Sequence, residues 1–472
     1  MRLLTAKMRA FGRLVCPAPA RVLRCTVKNL RLKNESQPKR FSEKLSEIMI
    51  EQVQVERFPN GLTVLTEHMP LLRSATVGIW VRRGSRHETA DWNGISHFIE
   101  HAVFKGTDSR TALDIAVESD RLGGHFDAYT THELTGFAMK VVDTALAKAF
   151  DLVSDMLARP RFDEEEMRRE QRVIIEEMKM VEDTPDEFLA EIFNAAYFPE
   201  HPLGRPIEGT ADTVSTFGHE RTAEFHAHAY APRNLVVAAA GNVEHARLVE
   251  LAARAFERSD NADEHAGGDG EPPRAAAPIL VQRKKELEQA HLILAAPFPS
   301  ARDEDRYAAT LLSSIIGGGT SSRLWQQIRE ERGLAYAVGS AGSHFTDAGI
   351  FQIYAGMSPE HLDEVLDLSL AELRRCLREP VSEDELRLVK DQAVSSILLG
   401  LESTSARAGS LARQEIIHGR RITPDEIIAR IESVAPEDLL RVASAFFRTD
   451  TLALGALGDL NGFKVDRARL EV

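Results

Sequence analysis

The sequence predicts an α+β fold of two homologous domains, each a mostly antiparallel sheet packed with helices. Three observations predict it. Strand-like and helix-like apolar patterns alternate along the chain, as they do in sheets layered with helices. The same succession of patterns occurs twice. A stretch of linker composition lies between the two copies.

The chain of 472 residues has the length of two to four ordinary domains. Its 43% hydrophobic and 28% charged residues are the balance of a soluble globular protein. The net charge of -14 excludes a general nucleic-acid binder. That charge is unevenly spread. Residues 1–44 hold twelve Lys and Arg against Glu35 and Glu43, a net of +10, which leaves -24 for the rest. The acidic body is read as a solubility feature. Of three cysteines, Cys16 and Cys25 lie in the basic leader, so the body has only Cys376. A disulfide framework is thereby excluded from the body, and a reducing compartment is expected. No apolar run approaches the roughly 20 residues of a membrane span.

Residues 1–48 form a basic leader or extension, with Met49 an alternative start. If the leader is a transit peptide, the destination is the mitochondrial matrix; if the protein is bacterial, it is cytoplasmic. The first domain is expected over 49–258, beginning with strand-like runs such as ATVGIWVRRG (75–84). The linker is expected over 259–278, small, acidic and rich in Gly and Pro. The second domain, 279–472, opens likewise with a strand-like run, AHLILAAPF (290–298). FDEEEMRREQRVIIEEM (162–178) is echoed by VSEDELRLVKDQAVSSI (381–397), and FKGTDSR (104–110) by GGGTSSR (317–323).

The central motif is His97-Phe98-Ile99-Glu100-His101. Asp91 or Asn93 is the expected cap of its helix and Gly106 its end. Residues four apart share a helix face, so two imidazoles so placed can grip one zinc ion. Glu100 shares that face and can take a proton from a zinc-bound water. Catalytic zinc usually takes three protein ligands. In the helix starting near Asp163, Glu170, Val173, Ile174 and Glu177 are spaced along one face, which the two apolar residues mark as buried. Buried carboxylates need ionic partners, and a zinc ion with its histidines supplies one. The second copy is an internal control. Its matching positions are Thr310, Ser313 and Ser314 for the motif and Ser396 for Glu177, so the framework is repeated and every ligand is lost.

H-x-x-E-H followed by a glutamate seventy-six residues beyond the last histidine resembles the inverzincins, the pitrilysin, insulysin and mitochondrial processing peptidase superfamily. The resemblance spans about residues 53–460. It includes FPNGLTVLTE, GSRHE, NGISHFIEHAVFKGT, GGHFDAYTTHE, EEMKMVEDTPDE, HPLGRPIEGT and SSRLWQQIREERGLAYAV. The chain's size resembles the two-domain, processing-peptidase-like branch. The resemblance implies a zinc metalloendopeptidase with one Zn2+ per chain. His97, His101 and Glu177 would bind the metal, Glu100 would be the general base, and Glu170 would support the site. Arg329 and Tyr336 would contact substrate and stabilise the reacting carbonyl. Substrates would be peptides or unfolded, presequence-like segments. Partners would be a second copy, as a homodimer, or a related subunit, as a heterodimer. The resemblance also implies that a lone first half binds zinc yet cleaves poorly. One position departs from the family: Asp127 stands where Asn is usual, in a segment read as an edge strand against which substrate pairs. An ionised Asp cannot donate to a substrate carbonyl as Asn does.

Other constellations carry less. GGGT (317–320) lacks the Gly-Lys-Ser/Thr ending of a phosphate loop and reads as a turn. His226 and His228 do not share a helix face and read as a solvated pair. Cys376 reads as a small buried residue. The alternative function is a non-catalytic structural or substrate-holding subunit. Such members of the family typically lose zinc ligands, and this chain keeps them all.

Overall fold

Residues 53–257, 271–460 and 462–472 are described in the computed structural model of the chain. The leader 1–48 and linker residues 259–270 lie outside the described residues. The first half runs β1 (Val53–Arg57), β2 (Thr63–His68), β3 (Ser74–Val81), α1 (Ile95–Ala102), α2 (Ala112–Leu122), β4 (His125–Thr130), β5 (Thr135–Val142), α3 (Leu146–Ala158), α4 (Glu164–Glu182), α5 (Pro185–Tyr197), α6 (Ala211–Val214), α7 (His219–Ala229), β6 (Leu235–Gly241) and α8 (His245–Ala255). The second half runs β7 (Ile279–Arg283), β8 (Ala290–Phe298), α9 (Arg306–Gly317), a π-helical turn (Trp325–Glu330), β9 (Ala335–His344), β10 (Gly349–Met357), α10 (Leu362–Arg378), α11 (Glu383–Gly400), α12 (Thr404–His418), α13 (Pro424–Ser433), α14 (Pro436–Phe446) and β11 (Ala453–Gly458). Among the described residues no helix is long and apolar enough to cross a membrane.

The two sheets share one topology. The first has the order β1-β2-β6-β3-β5-β4 and the second β7-β11-β8-β10-β9. Without β1 they superpose strand for strand. In each, the first pair is parallel and the remainder antiparallel. This is the duplicated, mostly antiparallel α+β architecture that the sequence predicts.

Alternation along the central strands sends side chains to both faces. In β3 and β6, Ala75, Val77, Ile79, Leu235, Val237 and Ala239 face a core shared with α1, α3, α4 and α8. The intervening Trp80, Val236, Ala238 and Ala240 face the opposite way, against Ala408, Leu411 and Ala412 of α12. That helix belongs to the second half. The second sheet repeats the device in reverse. Leu292, Leu294, Phe351, Ile353, Leu454 and Ala456 face α9, α10 and α14. The other face, with Ile293, Ala295, Ile350, Ala453 and Leu457, is covered by Leu189, Phe193 and Tyr197 of α5, from the first half. Each half therefore lends one helix to the sheet of the other.

Polar contacts fix the exchange. Glu415 of α12 receives Arg57 of β1, through Nη2 at 2.9 Å, and Arg82 at 3.2 Å. Thr404 and Thr76 hydroxyls meet at 2.8 Å, and Arg407 pairs with Glu67. Arg86 bridges Glu133 and, from the β9–β10 turn, Asp347 at 2.6 and 2.8 Å. The halves also carry matching buried ion pairs. Arg110 meets Asp155 at 2.7 Å in the first, and Arg323 meets Glu372 at 2.7 Å in the second. Thr107 and Ser109 also donate to Asp155.

The exchange bears on the expectation for a lone first half. Residues 49–258 expressed alone would leave the Trp80 face of the first sheet without α12. Burying one such large apolar side chain contributes roughly 1.5–3 kcal/mol. The fragment is expected to aggregate or to bind an apolar dye such as ANS. A soluble fragment that unfolds cooperatively in denaturant would contradict this account.

Candidate metal centre

Helix α1 is short, and its sequence separates two roles. Ile95, Phe98, Ile99 and Ala102, spaced as one helical face, are buried in the first core. His97 and His101, four apart, emerge beside that face with their ring centroids 4.7 Å apart. The helix begins at Gly94, whose φ of 96° suits glycine. The expected caps, Asp91 and Asn93, do not cap it. The cap comes from farther back: Glu88 accepts from the backbone N–H of Gly94 and of Ser96, each at 2.8 Å. Glu88 answers the unsatisfied donors and the positive end of the helix together. The α-helix ends at Ala102, and a 3-10 turn carries the chain to Gly106.

Helix α4 lies across α1. Asp163 caps it, accepting from Glu165 and Glu166. Met167, Glu170 and Ile174 are its buried residues. Val173 is 39% exposed, contrary to the buried face expected for it, so the burial axis runs between Glu170 and Ile174 and leaves Val173 beside it. Glu177 lies one turn beyond Ile174 and is half-buried.

The structure brings His97, His101 and Glu177 together: one ligand atom from each lies within 4.8 Å of the others. Two imidazoles and a carboxylate are the donor set of an open, catalytic zinc site, in which donors about 2.1 Å from the ion leave a fourth position for water. The residues fit the metal. Glu170 holds His101 by its other nitrogen, Nδ1, at 3.2 Å, and receives Lys105 at 2.7 Å. A carboxylate on the far nitrogen of a ligating histidine fixes the tautomer and ring orientation. Burial alone would lower the pKa of His101, but the hydrogen bond to Glu170 and the charges of Glu177, Glu100 and Glu170 outweigh it and raise it. Burial would raise that of Glu170, but His101 and Lys105 pull it below the usual range. Glu100 is buried beside the cluster and accepts from the Thr130 hydroxyl at 2.7 Å. Thr130 ends β4, and β4 is the sheet edge that the sequence predicts, with Asp127 exposed upon it.

Arg329 and Tyr336 lie elsewhere. The Arg329 guanidinium stacks on Trp325 at 4.2 Å, and Tyr336 stands on β9, 48% exposed. At the matching place in the second half, Thr310 and Ser314 donate to carbonyls of their own helix, and Ser396 is exposed. His226 departs from the solvated reading. It packs between Phe162 and Tyr230, its Nε2 donates to the Leu157 carbonyl at 2.9 Å, and burial pushes its pKa down to about 4. Cys376 is buried, as expected.

Glu88, Lys105 and Thr130 were not singled out by the sequence. Each lies inside a quoted motif, GSRHE, NGISHFIEHAVFKGT and GGHFDAYTTHE, but its partner is fixed only by folding.

Two family descriptions match the chain, the second beginning within the first half. Residues 63–211 match the family described as insulinase (peptidase family M16), and residues 216–393 match the peptidase M16 inactive domain. An uncharacterized zinc protease of Streptomyces coelicolor is 40% identical over 82% of this chain and 85% of its own length. An uncharacterized zinc protease of Rickettsia felis is 36% identical over 88% of this chain and 100% of its own. Among solved structures, a protease from Helicobacter pylori has a TM-score of 0.81 at 23% identity, covering 86% of this chain and 99% of that one. A chain of complex III2 from Candida albicans has a TM-score of 0.76 at 19% identity, covering 89% and 100%. At these identities the structural matches show the fold alone.

Burial pushes the Glu88 carboxyl up to about 7 despite its backbone donors. A raised pKa means that the folded state holds this proton more tightly than the unfolded chain does. Glu88 therefore favours folding most below its unfolded pKa of about 4.3, and that advantage is lost as pH rises toward about 7. Wild type measured against Glu88→Gln in denaturant at pH 5 and pH 7.5 should show the difference shifting against wild type at the higher pH, by at most about 3 kcal/mol. A difference independent of pH would remove this account of the cap.

Proposed function

The chain belongs to the M16 (insulinase) peptidase family, and on that footing we propose that it is an active zinc metalloendopeptidase, holding one zinc ion through His97, His101 and Glu177. The observation that carries the reading is the convergence of those three donors beside a buried fourth group, Glu100. When bound, zinc supplies Lewis-acid polarisation of water and of the scissile carbonyl. The chain's residues do the rest. Glu100 takes the proton of the attacking water and passes it to the leaving amine. Thr130 holds one carboxylate oxygen of Glu100 and orients the other. Glu170, backed by Lys105, keeps His101 in the tautomer that presents Nε2.

The substrate is a peptide or an unfolded segment laid along the exposed edge of β4, where free backbone groups offer strand pairing. Asp127 does not serve as an oxyanion donor there. Tyr336 and Arg329 take that part. Their contacts lie away from the metal cluster of their own chain, which supports a dimer in which each chain completes the site of the other. The alternative of a substrate-holding, non-catalytic subunit is disfavoured by the intact donor set. Bacterial relatives and a body with a single cysteine support a reducing, cytoplasmic setting.

Glu100→Gln is expected to retain zinc by metal analysis while peptide cleavage falls by at least about 100-fold, the lower end for a general base. Wild-type cleavage in that variant would sink the mechanism. His97→Ala should lose the zinc itself, and a chelator should silence wild type until zinc is restored.

A further inference from the structure

Two cavities adjoin beside the C-terminal end of α12. The outer one, of about 520 Å3, is lined by Arg82, Arg302, Arg306 and Arg420 against Glu304 and Glu415. The inner one, of about 330 Å3, is walled by apolar groups of three helices: Leu311 of α9, Ala393 of α11, and Ile427 and Ile431 of α13. Arg306 and His418 belong to both linings, which places the cationic space directly against the apolar one. None of His97, Glu100, His101 or Glu177 lines either cavity.

The arginines are not all spent on carboxylates. Arg82 serves Glu415 at 3.2 Å, and Arg420 is held by Glu426 at 2.9 Å. Arg306 stacks on Tyr307 at 4.2 Å and meets Glu304 only at 3.7 Å. Arg302 is exposed and gives its Nε–H to the Ile417 carbonyl at 2.9 Å. Among the described residues it pairs with no carboxylate. Capping α12 in this way uses one donor, and a guanidinium has several to spare. His418 registers the excess of positive charge. Burial first, then Arg306, Arg420 and Arg302, push its pKa down, against the opposing charge of Glu304. In the inner cavity, His344 gives Nδ1–H to the Pro299 carbonyl at 2.6 Å. Burial, with Arg306, lowers its pKa, so the ring is neutral and Nε2 is an acceptor. That nitrogen is buried with no hydrogen-bond partner among the described residues. A buried acceptor without a donor is costly, and a donor on a bound molecule removes the cost.

We propose that the two cavities form one binding site for a small amphipathic anion. Its charged head lies at Arg302 and Arg306, its apolar body in the inner cavity, and a hydroxyl or N–H of that body on His344 Nε2. Space of this size suits a small molecule, and an apolar chamber with a few placed polar groups is the usual form of such a site. Guanidinium groups favour a carboxylate or phosphate head, which they meet with paired N–H donors. Charge alone would take any anion and the apolar chamber any oily molecule. Their junction selects a molecule that is both.

The test is calorimetric titration of the full-length protein, with 3-(4-hydroxyphenyl)propionate as the probe. Its Kd should be about 1 mM or tighter, as expected for a ligand of this size. Inorganic phosphate supplies the charge without the body, and 4-propylphenol the body without the charge. Each should bind at least about tenfold more weakly, and 3-phenylpropionate, which lacks the donor, should fall between. Arg302→Glu should abolish binding of the probe. Ala393→Phe, which fills the inner cavity, should weaken the probe about tenfold and leave phosphate unchanged. Unfolding temperature is measured for every variant, and Thr310→Phe, at an exposed wall of the same cavity, serves if Ala393→Phe fails to fold. No binding of the probe, or undiminished binding in Arg302→Glu, overturns the proposal. So does phosphate or 4-propylphenol binding as tightly as the probe, which would leave a bare anion site or a bare apolar pocket. Equal binding of 3-phenylpropionate overturns the part given to His344.

Discussion

A sheet buried on both faces needs two covers, and each half of this chain supplies only one for its own sheet. β6 is buried at all seven positions, and β8 at eight of nine. Strands of that kind cannot leave a face to water. The second cover is exchanged: α12 crosses to the first sheet and α5 to the second. Everything else in the architecture follows. The halves form one compact unit, and Glu415, Arg407 and Arg86 tie them across the exchange. The exchange also reaches the site. α5 follows directly on α4, which carries Glu170 and Glu177, so the metal helix is anchored through its successor on the sheet that presents Tyr336.

Duplication separates scaffold from chemistry. Arg110–Asp155 and Arg323–Glu372 occupy equivalent places, so a buried ion pair beneath the turn is part of the framework in both copies. Breaking such a pair would strand a charge, which explains its retention. The metal cluster has no such hold. In the second copy its positions carry hydroxyls, and those of Thr310 and Ser314 close on their own helix. A cluster of histidines and carboxylates has no folding role that hydroxyls or water cannot fill. Its presence in one copy is a chemical fact about that copy.

The candidate site was legible where function follows local spacing. His97, Glu100 and His101 lie on one helical turn, so their common face could be read from i, i+3 and i+4. Glu177 was legible through the periodicity of α4 and through resemblance. Val173 was misplaced because two adjacent apolar residues cannot share one narrow stripe, and only packing decides which is buried. Glu88 escaped because capping is usually sought next to the helix, whereas here the loop folds back to bring a carboxylate from six residues before Gly94. His226 escaped because burial is invisible to spacing.

The sequence by itself determined the duplicated α+β plan, the motif helix and the residue types of the metal cluster, since each is written in periodicity, repetition or fixed spacing along the chain. Tertiary structure alone decided the exchange of α5 and α12, the capping of α1 by Glu88, and the pairing of Thr130 with Glu100. These depend on which segments meet across six to about 360 residues, and apolar patterning specifies that a face must be covered without specifying by what.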